Sequence, residues 1–90
     1  MLFQREPHRI FAHDKSGTLI AEITFPINPD GIIDIEHTFV DSSLRGQGVA
    51  DQLMCAALAE IRKTGSKVTL SCDYAKRWFK KHPDQSDILA

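Results

Sequence analysis

The stretch Leu44-Arg45-Gly46-Gln47-Gly48-Val49-Ala50, called the glycine loop below, lies between a segment of β character and the clearest amphipathic helix of the chain. The first N–H groups of a helix lack internal partners, and the helix dipole is positive at that end. Glycines let the backbone approach an anion closely, and Arg45 adds a permanent charge with a planar fork. The loop therefore predicts a phosphate-binding corner, and the plainer alternative is a turn that only begins a helix.

The glycine loop matches neither of two common phosphate motifs. The chain has no G-x-x-x-x-G-K-[ST] stretch, and Gly46-x-Gly48 is not followed by the third glycine of G-x-G-x-x-G. A P-loop protein and a dinucleotide-binding protein are therefore not indicated.

The segments before the loop predict three strands. Residues 9–25 read as a hairpin around the polar cluster Asp14–Gly17, because turn residues separate two stretches of β character there. Residues 32–40 are rich in β-branched and aromatic residues and predict a third strand. Alternation along this strand would put His37 on the same side as Ile35.

The segments after the loop predict a helix, a strand and a second helix. Residues 47–63 place apolar side chains along one broad helical face. Residues 68–72 predict a short strand, and residues 74–81 a second helix that Pro83 ends. The polar tail, residues 84–90, is predicted to fray. The expected fold is α/β, an open mixed sheet of about four strands with two helices and one parallel pair.

Length and composition are those of one small domain over residues 1–90. Apolar residues make up 42% of the chain and charged residues 26%, which suits one modest core. The net charge of -1 recruits neither nucleic acid nor an anionic membrane, and no membrane span or signal pattern is present. Cys55 and Cys72 are expected to be free thiols without metal-ligand spacing, so a cytoplasmic protein with no structural metal is expected.

The chain resembles the GNAT N-acetyltransferase superfamily. Arg45-x-x-Gly48-x-Ala50 matches its Q/R-x-x-G-x-G/A signature, and the chain is similar to the very short, single-domain members. The similarity covers residues 8–83 and is carried, in order and spacing, by His37-Thr38-x-Val40, the glycine loop, Cys72 and His82-Pro83. It implies a GNAT-like domain that binds acetyl-CoA.

The resemblance also implies where the cofactor lies. In GNAT proteins the pantetheine arm occupies a splayed gap between the strand before the loop and the strand after the helix, here residues 32–40 and 68–72. The acetyl thioester would then lie between His37 and Cys72. The implied cofactor contacts are the strand backbone at two residues and the loop amides at the pyrophosphate: Phe39, Val40, Arg45, Gly46, Gln47, Gly48, Val49 and Ala50. Lys76, in the basic stretch that follows, is a further candidate, for the cofactor's 3'-phosphate.

Two departures from the family pattern bear on activity. The usual N-x-x-A-x-x-x-Y reads Cys72-x-x-Ala75-x-x-x-Phe79 here, so the tyrosine that usually protonates the leaving thiolate is a phenylalanine. The elements that usually build the acceptor pocket have no room in 90 residues. Cofactor binding is therefore expected more firmly than transfer, and a homodimer is one way to complete the pocket.

Cys72 and His37 are the candidate catalytic residues. Cys72 is predicted at a strand end just before a helix, a position that favours a reactive thiol. It could accept the acetyl group or protonate the departing CoA, and the plainer reading is a small buried apolar residue. GNAT enzymes often use a carboxylate on the preceding strand as base, so Glu36 is the alternative to His37. Alternation predicts that these two neighbours face opposite sides.

Three functions are consistent with the sequence. The first is an acetyl-CoA-dependent N-acetyltransferase that acts on an amine of a small molecule or a protein. The second is a non-catalytic acyl-CoA-binding or acetyl-carrier module, with Cys72 as acetyl acceptor. The third is a nucleic-acid-binding domain that uses the basic aromatic residues 76–82, although docking of Trp78 and Phe79 in a core is the favoured interpretation of that stretch.

Overall fold

The computed structural model describes the whole chain, Met1 to Ala90. Its strands are β1 (Gln4–Glu6), β2 (Arg9–His13), β3 (Leu19–Thr24), β4 (Ile33–Ile35), β5 (His37–Val40) and β6 (Val68–Leu70). Its helices are α1 (Val49–Thr64) and α2 (Asp73–Lys81), with 3-10 turns at Ser42–Leu44 and Pro83–Ile88. None of these helices has both the length and the apolar character needed to cross a membrane.

The predicted α/β class and mixed sheet are confirmed. An antiparallel sheet runs in the order β1-β2-β3-β5, and β4 pairs in parallel with β6. The predicted hairpin corresponds to β2 and β3, and the Asp14 carboxylate accepts the N–H groups of Ser16 (2.9 Å) and Thr18 (3.0 Å) in its turn. Hydrogen bonds to this carboxylate, the one from the Ser16 hydroxyl first, lower the pKa of Asp14. The short edge strand β1 was not predicted.

Helix α1 forms the core with one face of the antiparallel sheet. Its apolar positions Leu53, Met54 and Ile61 are fully buried, as the helical spacing predicts. They pack in one cluster with Ile10 and Ile23 of the central strands. Burial of each such side chain stabilises the fold by about 1.5–3 kcal/mol, so α1 is held mainly by this face.

The predicted third strand is interrupted by a bulge. The Glu36 N–H donates to the Thr24 carbonyl oxygen at 3.2 Å, and His37 also stands opposite Thr24, so two residues face one. β5 pairs with β3, and β4 lies beside the residues that follow β3, where the Asp34 N–H donates to the Pro26 carbonyl oxygen at 2.9 Å, and also pairs in parallel with β6. The prediction of one continuous strand over 32–40 is therefore wrong, because alternation alone does not show where an additional residue interrupts a strand.

The bulge resets which side chains share a face. Ile35 is buried in the core cluster, and Thr38 stands opposite the buried Ile23, so Thr38 lies on the side of α1. His37 stands opposite Thr24 and lies on the other side, called the outer face below. The expectation that His37 shares a side with Ile35 is wrong for this reason.

A gap opens in the sheet just after the parallel pair. The predicted strand-helix-strand pair is confirmed, with Ile35 beside Leu70 and α1 as the connection. The N–H groups of Ser71 and Cys72 both donate to the Ile35 carbonyl oxygen at 3.1 Å. Beyond this point β5 follows β3, and no backbone hydrogen bond joins it to the chain after Cys72. The opening between β5 and the start of α2 is called the strand gap below.

The C-terminal residues dock on the domain, and the prediction of a frayed tail is wrong. Ile88 is only 6% exposed, and the Ala90 N–H donates to the Val68 carbonyl oxygen at 2.8 Å. Arg62 on α1 donates to both carboxylate oxygens of Asp87 at 2.9 Å. These partners are distant in the sequence, so the polar composition of the tail alone does not show them.

Candidate functional site

The glycine loop presents a row of unused backbone donors. The N–H groups of residues 46–51 donate no hydrogen bond to any protein group. Gly46 (φ 78°) and Gly48 (φ 72°) both adopt the left-handed conformation, and an added Cβ at either would meet no protein atom within 4 Å. The glycines are therefore required by the backbone conformation, which leaves successive N–H groups without protein acceptors at a helix N-terminus.

The turn before the loop is held by a side-chain cap. The Asp41 carboxylate accepts the backbone N–H of Ser43 at 3.0 Å and also its hydroxyl. These bonds, the hydroxyl first, lower the pKa of Asp41. Asp41 in turn donates its own N–H to the Ile20 carbonyl oxygen of β3 at 2.8 Å. The loop therefore leaves the sheet from a fixed point.

A concavity of about 280 Å³ joins the glycine loop to the strand gap. Its walls come from β5, the loop, the first turn of α1 and the first turn of α2. Val40 and Leu44 form the apolar side, and Tyr74 of α2 lies across from them. Asp51 is also present, and its carboxylate accepts the Trp78 Nε1–H at 2.7 Å, which ties α2 to the start of α1.

The free edge of β5 lines the strand gap. The Asp41 N–H points to β3, and backbone groups alternate in direction along an antiparallel strand. The backbone groups of Thr38 and Val40 therefore point into the gap, whereas those of Phe39 are directed to β3. Of the two residues predicted to offer backbone contacts, Val40 faces the gap and Phe39 does not.

Cys72 lies at the gap and contacts Thr38. Its Sγ is 3.5 Å from the Thr38 Oγ1 and donates a hydrogen bond to it across the gap, and both side chains are half-buried. Cys72 is also the residue that precedes α2. The predicted position of Cys72 is therefore found, and its nearest polar partner is the neighbour of His37.

His37 and Glu36 lie together on the outer face. The His37 Nε2 is 3.4 Å from a carboxylate oxygen of Glu22, whose other oxygen accepts the Arg9 Nε–H at 2.6 Å. The Thr24 hydroxyl donates to Glu36 at 3.3 Å, and Thr24 shares a strand face with Glu22. The expectation that Glu36 and His37 face opposite sides is wrong, because the bulge places both on one side.

Lys76, the candidate for the cofactor's 3'-phosphate, does not border the concavity of the glycine loop. Lys76 is exposed, and its ammonium is 3.9 Å from Asp73 on the same helix. It borders a different concavity, with Leu70 and Leu89. Arg45 and the other loop residues line or adjoin the concavity beside Tyr74 as the motif indicates.

The basic aromatic stretch is an amphipathic helix. Trp78 and Phe79 are 6% and 5% exposed, whereas Lys80 and Lys81 face solvent. The indole is further covered by His82, whose ring stacks on it with centroids 3.9 Å apart. Buried rings offer no stacking surface to bases, so this stretch does not support the nucleic-acid interpretation.

The largest concavity of the protein lies elsewhere. It measures about 380 Å³ and lies between the β1–β2 turn and the second half of α1, bordered by His8, Phe25 and Ile61. It contains neither cysteine nor the unused amides of the glycine loop. We therefore place the candidate site by chemistry rather than by size.

Three residues of the site are absent from the sequence prediction: Glu22, Thr38 and Tyr74. Glu22 and Thr38 meet their partners only through strand register. Tyr74 had a local signal, since it follows Cys72 by two residues and so belongs to the same helix start.

The comparisons with known proteins agree with this geometry. The family model described as GCN5-related N-acetyl-transferase matches residues 9–88. The fold is a mixed α/β domain, and the chain belongs to the GCN5-related N-acetyltransferase family.

Individual relatives are similar to different extents. The chain is 36% identical over 52 residues to Protein NATD1 of Gallus gallus and of Mus musculus. That alignment covers 58% of this chain and 47% of each NATD1, so the chain spans about half the length of these relatives.

Solved structures extend the similarity to the whole chain. The solution structure of a GCN5-like protein from Staphylococcus aureus has a TM-score of 0.81 and 28% identity, and the match covers 99% of this chain and 87% of that one. AAC(6')-Iy, solved with the bisubstrate analogue CoA-S-monomethyl-acetylneamine, has a TM-score of 0.60 and 19% identity over 81% of this chain and 58% of its own. The second match shows a common fold.

Proposed function

We propose that this protein is an acetyl-CoA-dependent N-acetyltransferase whose glycine loop binds the cofactor diphosphate. The observation that carries the proposal is the row of unused N–H groups at residues 46–51, beside the strand gap. The residues present suit the cofactor: donors without partners, left-handed glycines and the cationic Arg45 favour a diphosphate, and Thr38 and Val40 offer backbone groups to an amide-bearing arm. Bound there, acetyl-CoA supplies an activated acetyl thioester.

The strand gap would hold the acetyl end. A group lying in the plane of the gap is within reach from both faces of the sheet. Cys72 and Thr38 then approach it from the side of α1, and His37 and Glu36 from the outer face. This arrangement lets residues on opposite faces serve the two proton transfers of one reaction.

The chain's own residues can carry those two protons. As the acetyl–sulfur bond breaks and the acetyl–nitrogen bond forms, Cys72 gives its thiol proton to the departing sulfur, and His37 or Glu36 takes the proton that the amine must lose. Phe79 plays no part, because it is buried and has no proton to donate. The acceptor is an amine, of a small molecule or a protein, that reaches the outer face.

Calorimetry with acetyl-CoA tests the cofactor site, with a matched pair of loop variants. Gly46→Asp and Gly46→Asn each introduce a side chain that tolerates the left-handed conformation, and the two side chains differ in charge. We expect Gly46→Asp to weaken binding by about 10–100-fold through repulsion of the diphosphate, and Gly46→Asn to weaken it much less. A wild type that gives no heat with millimolar acetyl-CoA contradicts the proposal.

A separate assay distinguishes an enzyme from a carrier. The wild type is incubated with acetyl-CoA and a panel of amines, and acetylated amine is measured by mass spectrometry. We expect turnover of at least one amine. A stable acetyl adduct on Cys72 that no amine discharges would instead indicate the carrier function.

A further inference from the structure

Tyr74 stands opposite the glycine loop. It lies in the first turn of α2, two residues after Cys72, and borders the same concavity as Gly46 and Gly48. Its ring packs against the core cluster, so the side chain is held in one place. The position of its hydroxyl is therefore set by the packing of α2 rather than by a mobile loop.

The hydroxyl of Tyr74 has no partner within the protein. None of the hydrogen bonds of the structure includes it, although the side chain is half-buried. The neighbouring Asp51 carboxylate is already engaged by Trp78 at 2.7 Å. A half-buried phenol without a partner is a donor that a ligand in the concavity can use.

The surroundings keep this donor protonated. Burial raises the pKa of Tyr74 above its usual value, and the negative charge of Asp51 raises it further. A neutral phenol can donate to an anion without bringing a charge of its own. It thereby complements the amides on the opposite wall, which donate from the backbone.

We propose that the Tyr74 hydroxyl donates a hydrogen bond to the diphosphate of acetyl-CoA and closes the anion site from the side of α2. The proposal rests on the proposed function, since it requires the cofactor to occupy the concavity. It makes Tyr74 a cofactor-binding residue, and it links the diphosphate site to α2, the helix that Cys72 precedes.

Tyr74→Phe is the matched variant, because it keeps the ring and removes only the oxygen. We expect it to weaken acetyl-CoA by about tenfold in calorimetry, as the loss of a hydrogen bond to a charged group predicts. Binding of S-acetylpantetheine, which lacks the diphosphate, should be the same in both proteins by NMR titration. Equal melting temperatures of the two proteins are the control for folding.

The single tyrosine of the chain permits a direct spectroscopic test. Absorbance at the tyrosinate band reports ionisation of Tyr74 alone, and a phenol that donates to a phosphate should ionise at higher pH when acetyl-CoA is bound. Equal affinity of Tyr74→Phe, or an equal loss with S-acetylpantetheine, overturns the assignment of Tyr74 while wild-type binding upholds the proposed function. No binding by the wild type overturns both.

Discussion

The two halves of the candidate site are built in different ways. The glycine loop and the start of α1 are one continuous stretch, and their donors point outward because of local backbone conformation. The proposed acetyl end combines Glu22 of β3, the bulge at Glu36 and Cys72 before α2, which only the folded sheet brings together. Changes in the sheet that abolish proton transfer should therefore leave acetyl-CoA binding intact. Changes in the loop should weaken acetyl-CoA binding and leave proton transfer intact.

Replacement of Cys72 should give the largest effect and tests whether the acetyl end works separately. Loss of a general acid typically costs about 10²–10⁴-fold in rate, so Cys72→Ala should lose about 100-fold or more in turnover while its affinity for acetyl-CoA changes little. Turnover is followed by mass spectrometry of the acetylated amine, and affinity by calorimetry.

Cys55→Ala is the matched control for Cys72. Cys55 lies exposed on α1 with its Sγ near the Asp51 carboxylate, and partial desolvation and that carboxylate raise the pKa of its thiol. This variant should keep full activity. If Cys72→Ala also kept full transfer, Cys72 would be a packing residue only.

The bulge allows the base to be assigned by a pair of neighbouring variants. Histidine is the side chain that ordinarily changes charge between about pH 5 and 8. If His37 is the base, His37→Gln should lower turnover about tenfold or more and remove the acidic limb of the pH–rate profile. Glu36→Gln should leave that limb in place.

Both side chains lie on the outer face, so the geometry permits either of them to act as the base. The opposite result, loss of the limb in Glu36→Gln and full activity in His37→Gln, would assign the base to Glu36. Full activity in both variants would contradict the proposed role of the outer face.

Trp78→Phe probes the contact that joins the two halves. The indole Nε1–H donates to Asp51 at 2.7 Å and ties α2, with Cys72 at its start, to the first turn of α1. Hydrogen bonds to charged groups contribute about 1.5–3 kcal/mol, so the variant should be less stable to urea by about that amount. Asp51→Asn keeps an acceptor oxygen and should lose less. Equal stability of Trp78→Phe and wild type would show that the bond is not needed.

The smallest expected effect concerns the docked tail at acid pH. Arg62 donates to both oxygens of Asp87, and this hydrogen bonding lowers the pKa of Asp87 below its usual 3.8. A carboxylate with a depressed folded pKa stabilises the fold above the unfolded value, and that stability is lost as pH falls through the folded pKa. Asp87→Asn should therefore lower the melting temperature slightly at pH 7 and show less further loss below about pH 4.

Asp30→Asn is the control for this measurement. Asp30 is exposed, and its carboxylate makes no ion pair or hydrogen bond in the structure. Its replacement should leave the decrease of melting temperature at acid pH unchanged. If the melting temperature of Asp87→Asn decreased at acid pH as that of the wild type does, the tail contact would contribute nothing to stability.

Several features were predictable because they depend on neighbours in the chain. The hairpin turn at Asp14 is closed by that residue's own carboxylate, and α1 follows the spacing of its apolar residues. The parallel pair follows from the strand-helix-strand order. The left-handed conformation of the glycine loop follows from Gly46 and Gly48 before a helix.

The rest could not be predicted, because it depends on partners distant in the sequence. Polar composition indicated a frayed tail, yet Ile88 is buried and Arg62 of α1 holds Asp87. Lys76 has a charge suited to a phosphate, yet it lies near Asp73 of the preceding turn and borders a concavity other than that of the glycine loop. Neither position is encoded in local pattern.

By itself, the sequence determined the family from the order and spacing of its motifs, the α/β order from its residue patterns, and the glycine loop from residues that are neighbours in the chain. Only the tertiary structure decided that Glu36 and His37 share the outer face and that Cys72 meets Thr38. The physical reason is the bulge: one additional residue opposite Thr24 reverses the alternation of β5, and strand pairing sets where that residue falls.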